Sequence, residues 1–294
     1  MPVDFLTAEQ EARYGRYTGV PSEAELAQYF YLDAHDQTLI GQRRGDLSRL
    51  GFAMHLCTVR FLGTFLPDPI GVPPEVVAYV AAQLLITNTN QFVLYREGHL
   101  RYDHAAEIRY RYSYHEVTDR AEGLALARWL YARAWLSAER PGALFEAAVT
   151  WLKTHQVLLP GITILDRLVA RIRDRVAERV WQQLARTLSP AQEATLEILL
   201  LPAEEGQPTQ LERLRRAPTR ASAPALLQAL ARLEEIRALG VGDLDLSGIP
   251  PSRLKVLAAF ALTGKRADPP PHARLTARCH PPGVGPHTGG HRAR

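Results

Sequence analysis

The stretch "DHAAEIRYRYSYHEVTD", residues 103–119, decides the fold, because two structural periods compete within it. From Ile108 to Tyr114, apolar or aromatic residues alternate with polar ones, and strict alternation is typical of a half-buried strand. The stretch nevertheless opens with Asp103 followed by His-Ala-Ala-Glu, which is how many helices begin. These residues therefore form either a strand or a helix with an unusually basic and aromatic surface.

The rest of the chain favours the helix. It contains no Asn-Gly or Asp-Gly hairpin turn and no series of β-branched runs, so partner strands are missing. An isolated strand would leave its backbone donors and acceptors unpaired. We predict a helix that is capped by Asp103 and that places Ile108 and Tyr112 on one face. Arg111 and His115 would share another face of the same helix.

Signals for the start and end of helices recur along the chain. A Thr, Ser or Asp followed three positions later by Glu or Gln is the pattern of a capping box, and it occurs at Thr7–Gln10, Ser22–Glu25, Asp119–Glu122 and Ser189–Gln192. Gly15 and Gly240 fit the left-handed position that ends a helix. Apolar residues follow helical spacing over 46–65 and again over 165–188. We predict an all-α fold of many helices joined by short loops.

Loops and composition divide the chain into three segments. The sequence "LLPGIT", residues 158–163, separates a helical unit of residues 1–159 from a second helical unit of residues 160–263. Residues 264–294 are rich in Pro, Gly, His and Arg and lack an apolar period, so we expect a disordered tail. This tail is either a natural basic extension or the readout of a shifted frame in a GC-rich gene, and we prefer the frameshift.

The chain is mildly basic, with a formal net charge of +4 and a sequence pI of about 9.2. The only lysines are Lys153, Lys255 and Lys265, so nearly all of the positive charge is arginine. This bias reflects either a GC-rich genome or a use for guanidinium groups, which bind phosphates and base edges through paired hydrogen bonds. Composition alone does not separate the two explanations.

No targeting or membrane segment is expected. The N-terminus "MPVDFLTAEQ" lacks the basic and then apolar regions of a signal peptide. No apolar run approaches the roughly 20 residues that span a bilayer. Cys57 and Cys279 lie in different contexts, so we predict no disulfide and place Cys57 in the core. We expect a cytoplasmic protein that makes no contact with a membrane.

No cofactor or metal site is predicted. His104 and Glu107 have the helical spacing of a ligand pair, but no second His-Glu pair accompanies them, and cap and surface roles explain both. Asp243 and Asp245 lie in a Gly-flanked loop, where turn chemistry explains them. The chain has no GxSxG, Walker or GxGxxG motif. The remaining candidate ligands fit no standard zinc spacing, and they are His272, Cys279, His280, His287 and His291.

Clusters of arginine are the better candidates for a binding site. One cluster surrounds the start of the helix predicted over 46–65, one accompanies the tyrosines of the opening stretch, and one brackets Pro218. Guanidinium groups on helix ends and loops can hold phosphates and so fix a protein on a duplex. The alternative is a solvated surface on which arginines pair with neighbouring acids. The residues that we predict to contact DNA are Arg43, Arg44, Arg49, Arg60, Arg109, Arg111, Arg213, Arg215, Arg216 and Arg220.

Several long phrases of the chain carry a family resemblance. They include "MPVDFLTAEQEARYGRYTGVPSEAELAQYFYLD", "RRGDLSRLGFAMHLCTVRFLGTFLPDP", "HAAEIRYRYSY", "HQVLLPGITILDRLVARIR" and "EIRALGVGDLDLSGIPPSRL". In sequence and in order, these phrases resemble the N-terminal part of transposases of the Tn-3 family of replicative transposons. The resemblance covers residues 1–263.

The resemblance implies helical modules that bind the terminal inverted repeats of the transposon. It also implies that the family's catalytic domain, a ribonuclease-H-like fold with a magnesium-binding Asp, Asp, Glu triad, lies near the C-terminus of the full-length protein. This chain ends before that domain, so we expect no enzyme activity. The chain departs from the family at Leu47 and Ser48, where a more polar pair is expected, and again after Thr263, which supports truncation by a frameshift.

We therefore predict sequence-specific binding of double-stranded inverted-repeat DNA by a truncated transposase fragment. Residues 1–159 would bind DNA, and residues 160–263 would bind DNA or act as a linker. Full-length transposase and a second copy of this chain are further candidate partners. The alternative is a helical scaffold for transposase self-association that contacts DNA little. DNA binding predicts arginines that converge on one face, whereas the scaffold predicts scattered arginines paired with acids.

Overall fold

The fold is described from a computed structural model, which covers residues 6–97, 99–201, 207–215 and 222–263. The all-α prediction is confirmed over these residues, since helices form most of them. The predicted tail, residues 264–294, lies outside the described residues, as do Arg216 and Arg220. No helix among the described residues is long and apolar enough to cross a membrane.

The helices and strands follow one another in a simple order. The first helices are α1 (Ala8–Arg13), α2 (Glu23–Tyr29), α3 (Ala34–Gly41), α4 (Asp46–Leu62), α5 (Pro74–Gln83), α6 (Leu100–Arg111), α7 (Arg120–Leu136) and α8 (Pro141–Thr154). They are followed by α9 (Ile162–Thr187), α10 (Pro190–Leu200), α11 (Gln210–Arg215), α12 (Ala223–Ala238) and α13 (Pro251–Thr263). Short 3-10 helices occupy Asn90–Arg96 and Val241–Asp243, and two short strands are β1 (His115–Glu116) and β2 (Val157–Leu158).

The stretch of residues 103–119 contains most of a helix, α6, and all of a short strand, β1. The helix prediction is confirmed for α6, but its predicted start is wrong, because α6 begins at Leu100 and Asp103 lies inside its first turn. An acidic residue in the first turn interacts favourably with the helix dipole, which explains why Asp103 looked like a cap. Ile108 is completely buried, as expected for the inward face.

The end of the stretch corrects the prediction that His115 continues the helix. The chain leaves α6 at Tyr112, and Ser113 takes a left-handed φ of 53°. His115 then begins β1, which pairs in parallel with β2, where His115 lies opposite Val157. Its backbone N–H donates to the carbonyl of Gln156 at 3.0 Å. The partner strand lies after α8, far along the chain, so local sequence could not reveal it.

The capping signals locate most of the helix boundaries that they predict. Capping boxes are confirmed before α1, α2 and α10, at Thr7, Ser22 and Ser189. Gly15 and Gly240 have the expected left-handed φ of 62° and 65°. The helix predicted over 46–65 stops earlier, at Leu62, because Gly63 turns to a φ of 80°.

The described chain divides into two compact units. The first unit comprises the described residues within Met1–Trp135 and Glu139–Asp174, and the second comprises those within Leu136–Ala138 and Arg175–Arg294. The division therefore falls inside α9, beyond the loop that contains Pro160.

The core of the first unit is built around α4. This helix contacts α2, α3, α5, α6 and the 3-10 helix Asn90–Arg96, and its residues from Leu50 to Val59 are buried. Cys57 is fully buried there, which confirms it as a core residue. Burial of an unbroken run over several turns means that helices cover α4 on nearly every side. Its two ends are therefore the parts from which side chains can reach solvent.

The second unit has a much smaller core. Among its described residues, Val176, Val180, Leu199 and Ile249 are the buried hydrophobic ones. α10 contacts α11, and α12 contacts the 3-10 helix Val241–Asp243. No described residue of α12 is buried, and several of its leucines are exposed.

Candidate nucleic-acid interface

Arg60 is a structural residue of the first unit. Its two terminal nitrogens each donate to one carboxylate oxygen of Asp36 at 2.7 Å, and the Tyr112 hydroxyl donates to the same carboxylate at 2.7 Å. The Asp36 side chain is 1% exposed and that of Arg60 is 24% exposed. Burial alone would raise the pKa of Asp36, but the hydrogen bonds from Arg60 and Tyr112 outweigh it and hold that pKa below its ordinary value. The three residues join α3 and α4 to the end of α6.

Arg43 is also packed inside the protein. Its side chain is 9% exposed, and its guanidinium carbon lies 3.3 Å from the centre of the Phe52 ring. One terminal nitrogen donates to Glu107 at 2.7 Å, and the other donates to the carbonyl of Leu39. Arg43 thus connects the end of α3 to α6 and has little surface left for a ligand.

Arg49 occupies an intermediate position at the start of α4. It donates to Asp46 at 3.3 Å and to the carbonyl of Leu84, just after α5, at 3.2 Å. Its side chain remains 31% exposed. A guanidinium carries five N–H donors, so Arg49 retains donors for a phosphate while it ties two helix ends together.

Arg44, Arg109 and Arg111 are the exposed members of the predicted set in the first unit. Arg44 is exposed. Within the described residues, no hydrogen bond or ion pair engages its guanidinium. Arg111 is 50% exposed and lies 3.9 Å from Glu107, the same carboxylate that binds Arg43. Arg109 is 42% exposed and pairs with Glu116 at 2.7 Å.

The shared carboxylate of Glu107 places these arginines near one another. Arg43 binds it from the loop after α3, and Arg111 approaches it from one turn further along α6. Arg44 follows Arg43 directly in the chain and is exposed. The structure therefore brings the arginine cluster at the start of α4 close to the arginine cluster of the opening stretch. Their separation in sequence did not reveal this.

The N-terminus of α4 adds positive charge to this region. Gly45 precedes the helix with a φ of 81°, and no side chain caps the first turn. The free N–H groups and the dipole of a helix N-terminus attract anions. Asp46 also lies in that first turn, where it supplies one negative charge and binds Arg49.

The second unit contributes few arginines that can be located. Arg213 is 59% exposed and pairs with Glu235 at 3.0 Å. Arg215 is exposed at the end of α11, and no ion pair involves it among the residues that are described. Arg216 and Arg220 lie outside the described residues. The structure therefore describes only Arg213 and Arg215 of the predicted cluster around Pro218.

The cap or surface role that the sequence analysis gave His104 is wrong, because His104 is buried. His104, weighed as a metal ligand, is buried against Tyr95, whose hydroxyl lies 2.8 Å from its Nδ1. Burial, with a smaller contribution from the charge of Arg43, lowers the pKa of His104 to about 4. Among the described residues, no three His, Cys, Asp or Glu side chains are grouped so that they could hold a metal ion. Asp36 was missed, although Asp33 three positions earlier forms a capping box with it.

The exposed tyrosines of α6 lie beside the arginines. Tyr102 is 61% exposed and Tyr110 is 82% exposed. Arg101 donates to the Tyr102 hydroxyl at 2.6 Å, and its guanidinium carbon lies 4.6 Å from the centre of that ring. Tyrosine hydroxyls can donate to phosphate oxygens, so α6 offers neutral as well as charged donors.

The predicted arginines differ in how far acids engage them. Described ion pairs engage most of the predicted arginines, namely Arg43, Arg49, Arg60, Arg109, Arg111 and Arg213. Pairing with acids is what the scaffold alternative predicts, and these six residues follow that pattern, Arg43 and Arg60 with the least exposure. The exposed members with free or weakly engaged donors are Arg44, Arg111 and Arg215.

Known proteins match the chain over most of its length. A family model described as "Domain of unknown function (DUF4158)" matches residues 5–172. The transposase for transposon gamma-delta of Escherichia coli (strain K12) is 45% identical over 265 residues, which are 89% of this chain and 26% of that protein. The transposase for transposon Tn1546 of Enterococcus faecium is 26% identical over 270 residues, which are 90% of this chain and 26% of that protein.

A third relative also matches most of this chain and about a quarter of its own length. The transposase for transposon Tn501 of Pseudomonas aeruginosa is 29% identical over 238 residues, which are 81% of this chain and 24% of that protein. The chain thus spans about a quarter of the length of the curated relatives that it matches. It belongs to the DUF4158 family and is homologous to the N-terminal quarter of Tn-3 family transposases.

Proposed function

We propose that the chain binds double-stranded DNA that carries the terminal inverted repeats of a transposon. The observation that carries this proposal is the homology of 89% of the chain to the N-terminal part of a transposase. A transposase must find the ends of its element, and a region with arginine-rich helix ends suits that task. The proposal concerns DNA recognition alone.

The proposed contact surface lies where the end of α3, the start of α4 and the C-terminal half of α6 meet. Arg44 and Arg111 would hold phosphates directly, and Arg49 and Arg109 would do so with the donors that their carboxylate partners leave free. The uncapped first turn of α4 would bind a further phosphate through backbone N–H groups. Phosphate contacts of this kind fix the protein on the duplex, whereas base contacts supply sequence preference.

Arg43 and Arg60 serve this surface from behind. Arg60 is bound to the buried Asp36 and the largely buried Arg43 is bound to Glu107, so each orders the helix ends from which the exposed arginines project. We propose both as positioning residues. In the second unit, Arg213 and Arg215, with Arg216 and Arg220, would make phosphate contacts of their own.

We also propose that the chain binds DNA without cutting or joining it. The matched part is about a quarter of each relative, and family resemblance assigns the Asp, Asp, Glu triad to the far end of the full-length protein. Incubation of purified chain with a supercoiled plasmid that carries a transposon end, in magnesium buffer, tests this proposal. The plasmid should stay supercoiled, and specific nicking at the transposon end would contradict it.

A competition experiment tests the binding proposal. The chain is titrated onto a labelled duplex with the element's inverted repeat, and unlabelled repeat or a shuffled duplex of the same composition is added as competitor. Repeat DNA should compete at concentrations at least tenfold lower than shuffled DNA. Affinity should also fall steeply as salt rises, because phosphate contacts release counterions. Equal competition by the two duplexes would contradict the proposal.

A second candidate is a helical scaffold for transposase self-association, and the surface of α12 favours it. Leu226, Leu230 and Leu233 are 63%, 47% and 42% exposed, and their spacing of four and then three residues is that of a coiled-coil seam. A second copy of the chain could cover this stripe with its own α12. Sedimentation equilibrium of the chain and of its Leu226→Gln, Leu230→Gln variant tests it, because only the unaltered chain should form dimers.

A further inference from the structure

Leu85 has an unusual backbone conformation at the end of α5. Its φ is 55°, in the left-handed region that costs free energy for any residue with a Cβ atom. The N–H of Leu85 donates to the carbonyl of Ala82 at 3.2 Å, and that of Ile86 donates to Ala81 at 3.0 Å. This pair of hydrogen bonds ends a helix in the motif whose left-handed position is usually glycine.

The side chain of Leu85 gains nothing from burial. It is 91% exposed, whereas its neighbours Leu84 and Ile86 are each 5% exposed. The two buried neighbours anchor the segment in the core and leave the side chain between them in solvent. The leucine side chain therefore offsets none of the cost of its backbone conformation. Residues held in such conformations concentrate at functional sites.

Leu85 also lies beside the proposed DNA surface. The Arg49 guanidinium donates to the carbonyl of Leu84 at 3.2 Å and to Asp46 at 3.3 Å, so the end of α5 meets the start of α4. The residues that follow Leu85 include exposed hydroxyl and amide side chains. These are Thr87 and Asn88 in the loop and Asn90 and Gln91 at the start of the next 3-10 helix. Amide side chains of this type can donate to and accept from base edges in a groove.

We infer that Leu85 is a specificity-determining residue that makes an apolar contact with the bases of the transposon-end duplex. The inference rests on the proposed function. Leucine can pack against thymine methyl groups or wedge between bases, and neither contact requires charge. Its neighbours on the loop are polar, and Arg49 lies next to it, which fits a DNA groove better than an apolar protein surface.

The alternative occupant is a protein that also covers the exposed apolar side chains of Asn90–Arg96. Val93 and Leu94 in that helix are 59% and 57% exposed. Such a partner would bury these residues together with Leu85. Sedimentation equilibrium of the variants at Leu85 therefore accompanies the DNA titrations, so that self-association is measured as well.

Three single variants of the full chain separate the side chain from the backbone. Leu85→Ala removes the apolar group and keeps the unfavourable conformation, whereas Leu85→Gly removes both. Gln156→Gly is the matched control, since Gln156 also has a left-handed φ of 53° and an exposed side chain. Each variant is titrated onto labelled repeat duplex and onto shuffled duplex over a series of salt concentrations.

Both Leu85 variants should bind repeat DNA roughly tenfold more weakly, as for loss of one base contact, and should bind shuffled DNA as the unaltered chain does. The slope of log affinity against log salt should stay unchanged, because no phosphate contact is lost. Leu85→Gly and Gln156→Gly should both raise Tm, by about 2–4 °C. Gln156→Gly should leave DNA binding unchanged.

Several results would overturn the inference. If Leu85→Ala keeps full affinity for the repeat while the unaltered chain prefers it over shuffled DNA, the inference fails and the proposed function stands. Weaker self-association of that variant would then assign Leu85 to a protein contact. If only Leu85→Gly loses binding, backbone geometry and not the leucine side chain is responsible. If the unaltered chain has no preference for the repeat, the proposed function and the inference fail together.

Discussion

Arg60 and Asp36 form a two-point ion pair beneath the surface of the first unit, with both N–O distances at 2.7 Å. The hydroxyl of Tyr112 completes the set of donors to the carboxylate. A buried charge that loses its partner is strongly destabilising, because the remaining charge is left without solvent. This relationship makes the fold sensitive at a position that sequence reasoning assigned to DNA.

The first prediction concerns this pair. Arg60→Ala should lower the free energy of unfolding by about 3 kcal/mol, since Asp36 would remain buried without its main partner. Arg44→Ala is the matched control, because Arg44 is exposed, and its change should stay within about 0.5 kcal/mol. Urea denaturation measures both. A loss below about 1 kcal/mol for Arg60→Ala would mean that the pair does not hold α3 and α4 together.

The second prediction concerns pH. Burial, with smaller contributions from nearby positive charge, lowers the pKa of both His55 and His104 to about 4. Unfolded histidine titrates near 6.5, so as the pH falls from about 6.5 to 4 the unfolded state takes up protons that the folded state does not. Stability should therefore be complete above pH 6.5 and decrease below it, by an amount on the order of 2–3 kcal/mol per histidine.

Urea denaturation between pH 7 and 4.5 measures this effect. His104→Gln should flatten the dependence of stability on pH, although it also removes the contact with Tyr95. The exposed His99, changed in the same way, is the matched control. A profile that is flat between pH 7 and 5 in the unaltered chain would contradict the burial of both histidines.

The third prediction concerns a close approach between helices. Gly51 lies in the buried part of α4, and a Cβ atom placed there would overlap the ring of Tyr95, which is 1% exposed. Gly51→Ala should destabilise the first unit by about 1–3 kcal/mol, the usual cost of overpacking a core. Gly41→Ala has open space around it and should be neutral or slightly stabilising. Equal stability of the two variants would show that Tyr95 can move aside.

The fourth prediction concerns the exposed arginines. The variant Arg44→Ala, Arg111→Ala should keep its stability within about 0.5 kcal/mol per substitution. Its DNA affinity should fall, and the slope of log affinity against log salt should become shallower by roughly one to two units. Fluorescence anisotropy at several salt concentrations measures both quantities. Unchanged affinity and slope would remove this surface from the account and favour the scaffold.

Local sequence signals located much of the fold. The capping boxes at Thr7, Ser22 and Ser189 and the glycines Gly15 and Gly240 mark helix ends because their effects act within a few residues. Relationships between distant residues could not be read in this way. The pairing of β1 with β2 joins His115 to Val157, and no local pattern encodes that register.

The candidate site divides along the same line. The arginine clusters show where positive charge is concentrated in the sequence, but they do not show whether each charge faces an acid or solvent. Arg60 faces Asp36 from 24 positions away, and Arg43 faces Glu107 from 64 positions away. Arg44, adjacent to Arg43, is exposed. Only the packing of α3, α4 and α6 separates these roles.

The measurement that tests the central claim most directly is a footprint of the full chain on one transposon end. A linear fragment with the end and its flanking DNA is labelled, incubated with the chain at moderate salt and treated briefly with DNase I. We expect protection that is confined to the terminal inverted repeat. We expect the variant Arg44→Ala, Arg111→Ala to lose this protection. Uniform protection along the whole fragment would contradict the proposed function. The absence of protection over the repeat at every chain concentration would contradict it too.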